Sequence, residues 1–182
     1  MLHRDLGGFT LIELMVTVGI LSILLMLAGP SLRELVMNAR MTGQANDLMG
    51  DLNIARSEAI KRNLRTYLCT STNGATCTNS AWAQGWLVFV DVDGDGRQDA
   101  AEVALKSHGA LETTNTMVVA QDSAGLPTSR FVPYRPSGVS APGAQPVTFR
   151  MCDSRTGALG INKGRLITIS ATGRPIVTRI NC

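Results

Sequence analysis

The feature that most constrains this chain is an apolar stretch near its N-terminus that contains one acidic residue. From Phe9 to Leu32 there are 24 residues, and Glu13 carries the only charge among them. An α-helix of that length spans the hydrocarbon core of a bilayer, about 30 Å. An ionised carboxylate is costly in hydrocarbon unless a positive group pairs with it. The stretch therefore predicts a membrane-spanning helix in which Glu13 has a specific partner.

A cleaved secretory signal, a plain membrane anchor and a buried core helix are the alternatives. The apolar region of a secretory signal is shorter, about 7–15 residues, and small residues follow it. Here Gly7 and Gly8 precede the apolar run instead. His3 and Arg4 form a thin positive flank that favours a cytoplasmic N-terminus. Any cleavage is therefore expected at the cytoplasmic face, and the helix stays attached to the protein.

The residues around the start of the apolar run resemble the class III signal of type IV prepilins and type II secretion pseudopilins: Gly8-Phe9-Thr10-Leu11-Ile12-Glu13. The resemblance implies that a prepilin peptidase cuts between Gly8 and Phe9 and methylates Phe9. It also implies that Glu13 meets the N-terminal amine of a neighbouring subunit during assembly, where each charge offsets the other's desolvation. Pro30 matches the position of the helix-kinking proline in pilins.

The helical pattern continues beyond Pro30. Apolar residues recur at spacings of three and four, with charged residues mostly between them. The pattern predicts a helix to about Asn63, with an apolar stripe available to a sheet. The stripe comprises Leu32, Leu35, Val36, Ala39, Leu48, Met49, Leu52, Ala55, Ala59 and Ile60.

Short β-rich runs separated by turn residues follow Asn63. The strand candidates are TYLCT, GWLVFVD, EVALKS, TMVVA, RFVPYR, PVTFRMC, RLITISA and PIVTRI. The order of elements predicts an α+β fold, a long N-terminal α-helix packed on an antiparallel β-sheet. Together with the pilin resemblance, this order implies the lollipop shape of pilins, a long helix that carries one globular domain. The expected parts are a leader peptide at 1–8, a transmembrane and filament-core helix at 9–32, and a periplasmic domain at 33–182 whose amphipathic helix runs to about 63.

Three later segments narrow the resemblance to the GspH/FimT group of minor pilins and pseudopilins: ARSEAIKRN, GWLVFVDVDGDGRQDAAE and SATGRP. Such proteins generally sit at or near a filament tip and help to prime assembly. The resemblance implies insertion in the inner membrane, then assembly with other pilins or pseudopilins into a type IV pilus or a type II secretion pseudopilus. No cofactor is required for that work.

All four cysteines lie beyond the membrane helix, and an even set fits an oxidising periplasm. Four cysteines allow three pairings. We favour Cys69–Cys77, which closes a short loop around the hairpin signal Asn73-Gly74. Cys152–Cys182 would then fasten the chain terminus to an upstream strand. Free buried thiols are the alternative.

The segment DVDGDGRQDAAE matches the calcium-loop pattern D-x-[DN]-x-[DN]-G-x5-E. Its specified positions are Asp91, Asp93, Asp95, Gly96, Asp99 and Glu102, and Arg97 offers a backbone carbonyl. The flanking runs read as strands, whereas an EF-hand has two helices. A solvated, acidic hairpin turn is therefore the alternative to a Ca²⁺ site.

An enzyme is not indicated. His108 is the only histidine beyond the leader, and the sequence contains no nucleotide-binding loop, zinc pair or catalytic triad that can be defended.

DNA binding is the remaining alternative, because residues 128–182 carry a net charge of +7. Some FimT-like members bind DNA through a C-terminal GRxR motif during natural transformation. Gly173 and Arg174 match that motif, but Ile176 stands at its last position. The candidate DNA contacts are Lys163, Arg165, Arg174 and Arg179. A basic face that contacts acidic neighbours in a filament is the competing interpretation.

Overall fold

The structure is a computed structural model that describes residues 8–111, 117–121, 130–140, 147–152 and 164–181, with the backbone alone at 27–30 and 117–121. The chain divides into two compact units, Met1–Ala39 and Arg40–Cys182. The first unit contains the apolar half of the N-terminal helix. The second contains the rest of that helix and every strand among the described residues.

The helix α1 spans Leu11–Arg62, as the periodicity predicts. It ends at Asn63, whose φ of 56° places it in the left-handed region. Asparagine tolerates that conformation, which lets the chain leave the helix. Lys61 and Arg62 lie in the last turn, where positive charge is favourable, and both pair with Glu58.

In the described part of the chain, eight strands follow the helix and form two antiparallel sheets of four strands each. The first sheet has the order β3-β2-β1-β5 and the second has the order β4-β6-β7-β8. The α+β class is confirmed, and the eight predicted runs all contain a strand. The strands are β1 Arg65–Thr70, β2 Trp86–Asp91, β3 Lys106–His108, β4 Met117–Gln121, β5 Phe131–Tyr134, β6 Val147–Cys152, β7 Gly164–Ile169 and β8 Pro175–Ile180.

The second unit buries a narrow stripe of α1 at spacings of four and three, as a packed helix requires. It consists of Met41, Ala45, Leu48, Leu52, Ala55 and Ala59. Four members of the predicted stripe were correct, but Leu35 and Ile60 are exposed. Their spacing is the same as that of the buried residues, so the apolar pattern alone does not separate exposed from buried positions.

The stripe of α1 packs in a core to which both sheets contribute. Leu68 and Trp86 come from the first sheet, and Phe149 and Ile167 come from the second. Trp82, in a short 3-10 turn, forms a T-shaped pair with the Phe149 ring at 5.0 Å between centroids. The helix therefore covers two sheets, where the sequence predicts one.

The first sheet is buried on its other face as well. Leu87 and Phe89 lie there with Cys69, and the Phe89 ring stacks on Tyr67 at 5.4 Å. Cys77 and Ala104 pack against this cluster. Every residue of β2 is consequently buried, which explains its continuous apolar run.

A polar contact fastens α1 to two turns of the second unit. The Arg56 side chain donates hydrogen bonds to the carbonyls of Gly138 and Thr172. Gly138 and Gly173 both have positive φ, and a Cβ on Gly173 would collide with the Gly138 carbonyl. The segments ARSEAIKRN and SATGRP, which both carry the family resemblance, are thus in contact here through the Arg56 side chain.

Candidate functional site

The helix start positions the predicted processing and assembly residues. Gly8 and Phe9 precede the helix in an exposed segment, and Thr10 caps it. Glu13 Oε2 accepts hydrogen bonds from Thr10 N at 2.9 Å and Thr10 Oγ1 at 2.7 Å. Thr10 Oγ1 accepts in turn from the Glu13 N–H at 3.3 Å. This reciprocal arrangement is a capping box, which stabilises the first turn of the helix.

The sequence carries a local signal for this second role of Glu13, beyond the role that the prepilin resemblance implies. A Thr followed by a Glu three residues later marks a capping box before an apolar run. The capping bonds hold the carboxylate beside Thr10, the residue that follows Phe9.

The first unit exposes a long apolar surface along α1. Its members are Leu11, Ile12, Leu14, Met15, Val16, Val18, Ile20, Leu21, Ile23, Leu24, Leu25, Met26, Leu32, Leu35 and Val36. Among the described residues no single helix is long and apolar enough to cross a membrane, but the bent pair Leu11–Met26 and Ser31–Arg62 meets the requirement together, by length and composition. Pro30 lies between these two parts, and its predicted kink stays a prediction because its side chain is outside the description.

The predicted Cys69–Cys77 disulfide is present. Cys152 is disulfide-bonded as well, but Cys182 lies outside the described residues, so the second pairing stays a prediction. Near the chain end, the Arg150 side chain on β6 donates to the Asn181 carbonyl at 3.3 Å.

The acidic segment forms the loop after β2, before β3. Carboxylate oxygens of Asp91, Asp93 and Asp95 lie within 4.8 Å of one another. Asp99 turns elsewhere and accepts the Ala101 N–H at 2.7 Å. The predicted strand at 102–107 begins only at Lys106, because this loop extends further than its apolar residues suggest.

The structure describes three of the four residues predicted to contact DNA, and their environments differ. Arg165 is only 6% exposed, and its guanidinium donates to Thr42 Oγ1 at 2.9 Å. In this conformation the Arg165 guanidinium is directed to Thr42, and a DNA contact by Arg165 stays a prediction. Arg174 and Arg179 are exposed at either end of β8. Lys163 lies outside the described residues.

Comparison with known proteins agrees with this architecture. Residues 5–29 match the prokaryotic N-terminal methylation motif. Residues 44–173, more than half of the chain, match the family of the type II transport protein GspH. The motif ahead of an apolar helix and the α+β unit after it define a type IV pilin-like protein, of the minor pilin and pseudopilin class. The chain belongs to the GspH family.

A curated relative supports the class. The chain is 29% identical over 167 residues to the pilin-like protein PilA1 of Thermus thermophilus, which is 92% of this chain and 95% of that protein.

Solved structures share the fold. The type IV minor pilin FimU of Pseudomonas aeruginosa superposes with a TM-score of 0.54 at 20% identity, over 76% of this chain and 87% of that one. The minor pseudopilin EpsH of the Vibrio cholerae type II secretion system gives 0.51 at 10% identity, over 79% and 95%. The family consists of structural pilins and pseudopilins, so the expectation that the chain is not an enzyme is confirmed.

Proposed function

We propose that this chain is a minor pilin or pseudopilin that enters the inner membrane as a single-pass protein and is then built into a filament. In this proposal a prepilin peptidase removes residues 1–8 and methylates Phe9. Residues 9–32 span the membrane and later the filament core, and residues 33–182 form the periplasmic domain. The chain then assembles with other pilins or pseudopilins at or near the tip of a type IV pilus or a type II secretion pseudopilus.

The observation that carries the proposal is the position of Glu13 at the start of an exposed apolar helix. All described hydrogen bonds of its carboxylate come from Thr10 and end on Oε2. Cleavage after Gly8 would create an ammonium on Phe9, at the same end of the helix. Side-by-side packing of such helices pairs the ammonium of one subunit with the Glu13 carboxylate of another, which offsets the desolvation of both charges.

The exposed apolar side chains of α1 support the same proposal. Leu35, for example, is 65% exposed, although it belongs to the same apolar pattern as the buried Leu52. Soluble proteins rarely expose a contiguous apolar surface of this length. Lipid would cover the surface before assembly, and neighbouring helices would cover it in the filament.

DNA uptake is the alternative that the sequence raises, and the described residues give it little support. Arg165 is bonded inside the second unit, which leaves Arg174 and Arg179 as exposed candidates. Two separated cations fit a contact with acidic neighbouring subunits as well as they fit phosphate. We therefore propose assembly as the function and do not adopt DNA binding.

Three variants of the full-length chain separate assembly from helix capping. Glu13→Gln keeps an oxygen that can cap the helix but removes the negative charge. Thr10→Val removes the capping hydroxyl but keeps the charge. Glu13→Val removes the charge and also the oxygen that accepts hydrogen bonds from Thr10. We expect all three to insert in the membrane and to be cleaved. Filament incorporation should fall at least tenfold in both Glu13 variants, because the neighbour's ammonium loses its partner, and should stay within about threefold in Thr10→Val.

Incorporation is measured by quantitative immunoblotting of sheared filaments, with carbonate extraction as the check on insertion. Normal incorporation of Glu13→Gln would contradict the charge-pairing proposal. Losses confined to Thr10→Val and Glu13→Val would assign Glu13 to helix capping alone.

A further inference from the structure

The acidic loop after β2 is the strongest candidate for a function beyond assembly. It brings Asp91, Asp93 and Asp95 together, so that one oxygen from each lies within 4.8 Å of the others. Three negative charges at this separation repel one another, so the arrangement is unfavourable unless positive charge compensates it. Among the described residues, no lysine, arginine or histidine forms an ion pair with any of the three.

Each carboxylate uses one oxygen to hold the loop backbone. Oδ1 of Asp91 accepts the Gly94 N–H at 2.8 Å, and Oδ1 of Asp93 accepts the Asp95 N–H at 3.0 Å. Oδ1 of Asp95 accepts the Arg97 N–H at 2.7 Å. These bonds curl the chain around the acidic groups and account for one oxygen of each.

A second, independent observation points to a ligand. Asp91 is 1% exposed and Glu102 is 4% exposed. Asp91 Oδ2 and Glu102 Oε2 are both buried, and no group in the described part of the chain donates a hydrogen bond to either. Buried carboxylate oxygens without a donor or a cation are rare, because burial removes their water.

Glu102 lies at the base of the same loop. Its Oε1 accepts the N–H of Val92 at 2.6 Å, and Val92 is the residue between Asp91 and Asp93. The two unpartnered oxygens therefore belong to carboxylates that the backbone holds at the foot of the acidic loop.

We propose that this loop binds one Ca²⁺ ion through Asp91, Asp93 and Asp95, with Glu102 contributing charge from the base of the loop. Calcium takes six to eight oxygen ligands in flexible geometry, which carboxylates, carbonyls and water provide. Mg²⁺ demands near-ideal octahedral geometry and dehydrates reluctantly, so it fits a carboxylate-rich loop less well. The φ of +77° at Gly96 gives the turn that this position of a calcium loop needs.

The site differs from an EF-hand in the segments that it connects. Strands flank it, and Gln98 links it to the loop closed by Cys69–Cys77. The Gln98 side chain accepts the Cys77 N–H at 2.7 Å and donates to the carbonyls of Ala75 at 2.8 Å and Glu102 at 3.1 Å. Bound Ca²⁺ thus stabilises both segments that cover the outer face of the first sheet.

Calcium titration of the full-length chain in mild detergent, after treatment with a chelator, tests the proposal. We expect one site per chain with a Kd below about 1 mM, the range of extracellular calcium modules. Trypsin cleavage after the exposed Arg97 should slow at least fivefold in about 10 mM Ca²⁺, and equal Mg²⁺ should have a smaller effect.

Two charge-matched variants make the test specific. Asp93 and Asp99 are both exposed, so neither substitution should prevent folding. Asp93→Asn should weaken Ca²⁺ binding at least tenfold, because it removes one of the three grouped carboxylates. Asp99→Asn should change it by less than about threefold, because that side chain faces the Ala101 N–H. A flat titration of the wild-type chain, or equal losses in the two variants, would overturn the proposal.

Discussion

The division of α1 into an exposed half and a buried half gives the sharpest mutational prediction. Leu52 is 0% exposed and lies in the core to which both sheets contribute, whereas Leu35 is 65% exposed. Leu→Ala in a close-packed core costs about 2–5 kcal/mol, because it removes buried methyl groups and leaves a cavity. An exposed Leu→Ala changes the free energy of unfolding by about 0.5 kcal/mol or less.

For a unit of this size, 1 kcal/mol corresponds to about 2–4 °C in Tm. Leu52→Ala should therefore lower the Tm of the full-length chain in detergent by about 10 °C. Leu35→Ala should leave it within about 2 °C. Trp82 and Trp86 are buried in the same core, so their fluorescence reports its unfolding.

Filament incorporation should respond in the opposite way. Leu35→Ala should reduce incorporation, because the exposed apolar surface is the part of the helix available to neighbouring subunits. Leu52→Ala should reduce it only where the unit unfolds. Equal melting temperatures for the two variants would refute the division of the helix, and full incorporation of Leu35→Ala would refute its role in assembly.

Two further predictions concern groups inside the second unit. Burial raises the pKa of Asp51 above its usual value, and the hydrogen bond at 2.8 Å from Trp86 Nε1 opposes that effect. The stability contribution of Asp51 is therefore present below the pKa of the unfolded chain and is lost as pH rises through the raised folded-state pKa. Asp51→Asn keeps an acceptor for Trp86 and does not ionise. The urea concentration at its unfolding midpoint should therefore increase relative to that of the wild type as pH rises from about 4 to 7. A difference that stays constant with pH would refute this prediction. Gly173→Ala should lower the free energy of unfolding, measured in urea, by about 1–3 kcal/mol, because a φ of +78° is strained for alanine and the new Cβ meets the Gly138 carbonyl. The control Gly109→Ala should have little effect, because nothing lies near its Cβ.

Local pattern predicted most of this fold. The long helix α1, the presence of a strand in each β-rich run and the short Cys69–Cys77 loop depend on residues close in sequence, and the structure confirms them. The split into two sheets was not predictable, because strand partners depend on contacts between residues far apart in the chain. β1 pairs with β5, for example, across about sixty intervening residues.

The candidate sites show the same limit. The grouping of Asp91, Asp93 and Asp95 follows from their spacing, so the sequence indicates it. The burial of Arg165 depends on Thr42, which lies 123 residues earlier, and no local pattern contains that contact. The capping role of Glu13 follows from a local Thr-x-x-Glu pattern, whereas its partner in a filament is implied only by the resemblance to prepilins.

The most direct test of the central claim is the N-terminus of the chain in filaments purified from its own cells. Mass spectrometry of the intact protein should show the chain beginning at N-methylated Phe9, in amounts well below those of the major subunit. A chain that still begins at Met1 with its peptidase present, or one absent from filaments while the membrane fraction contains it, would contradict the account.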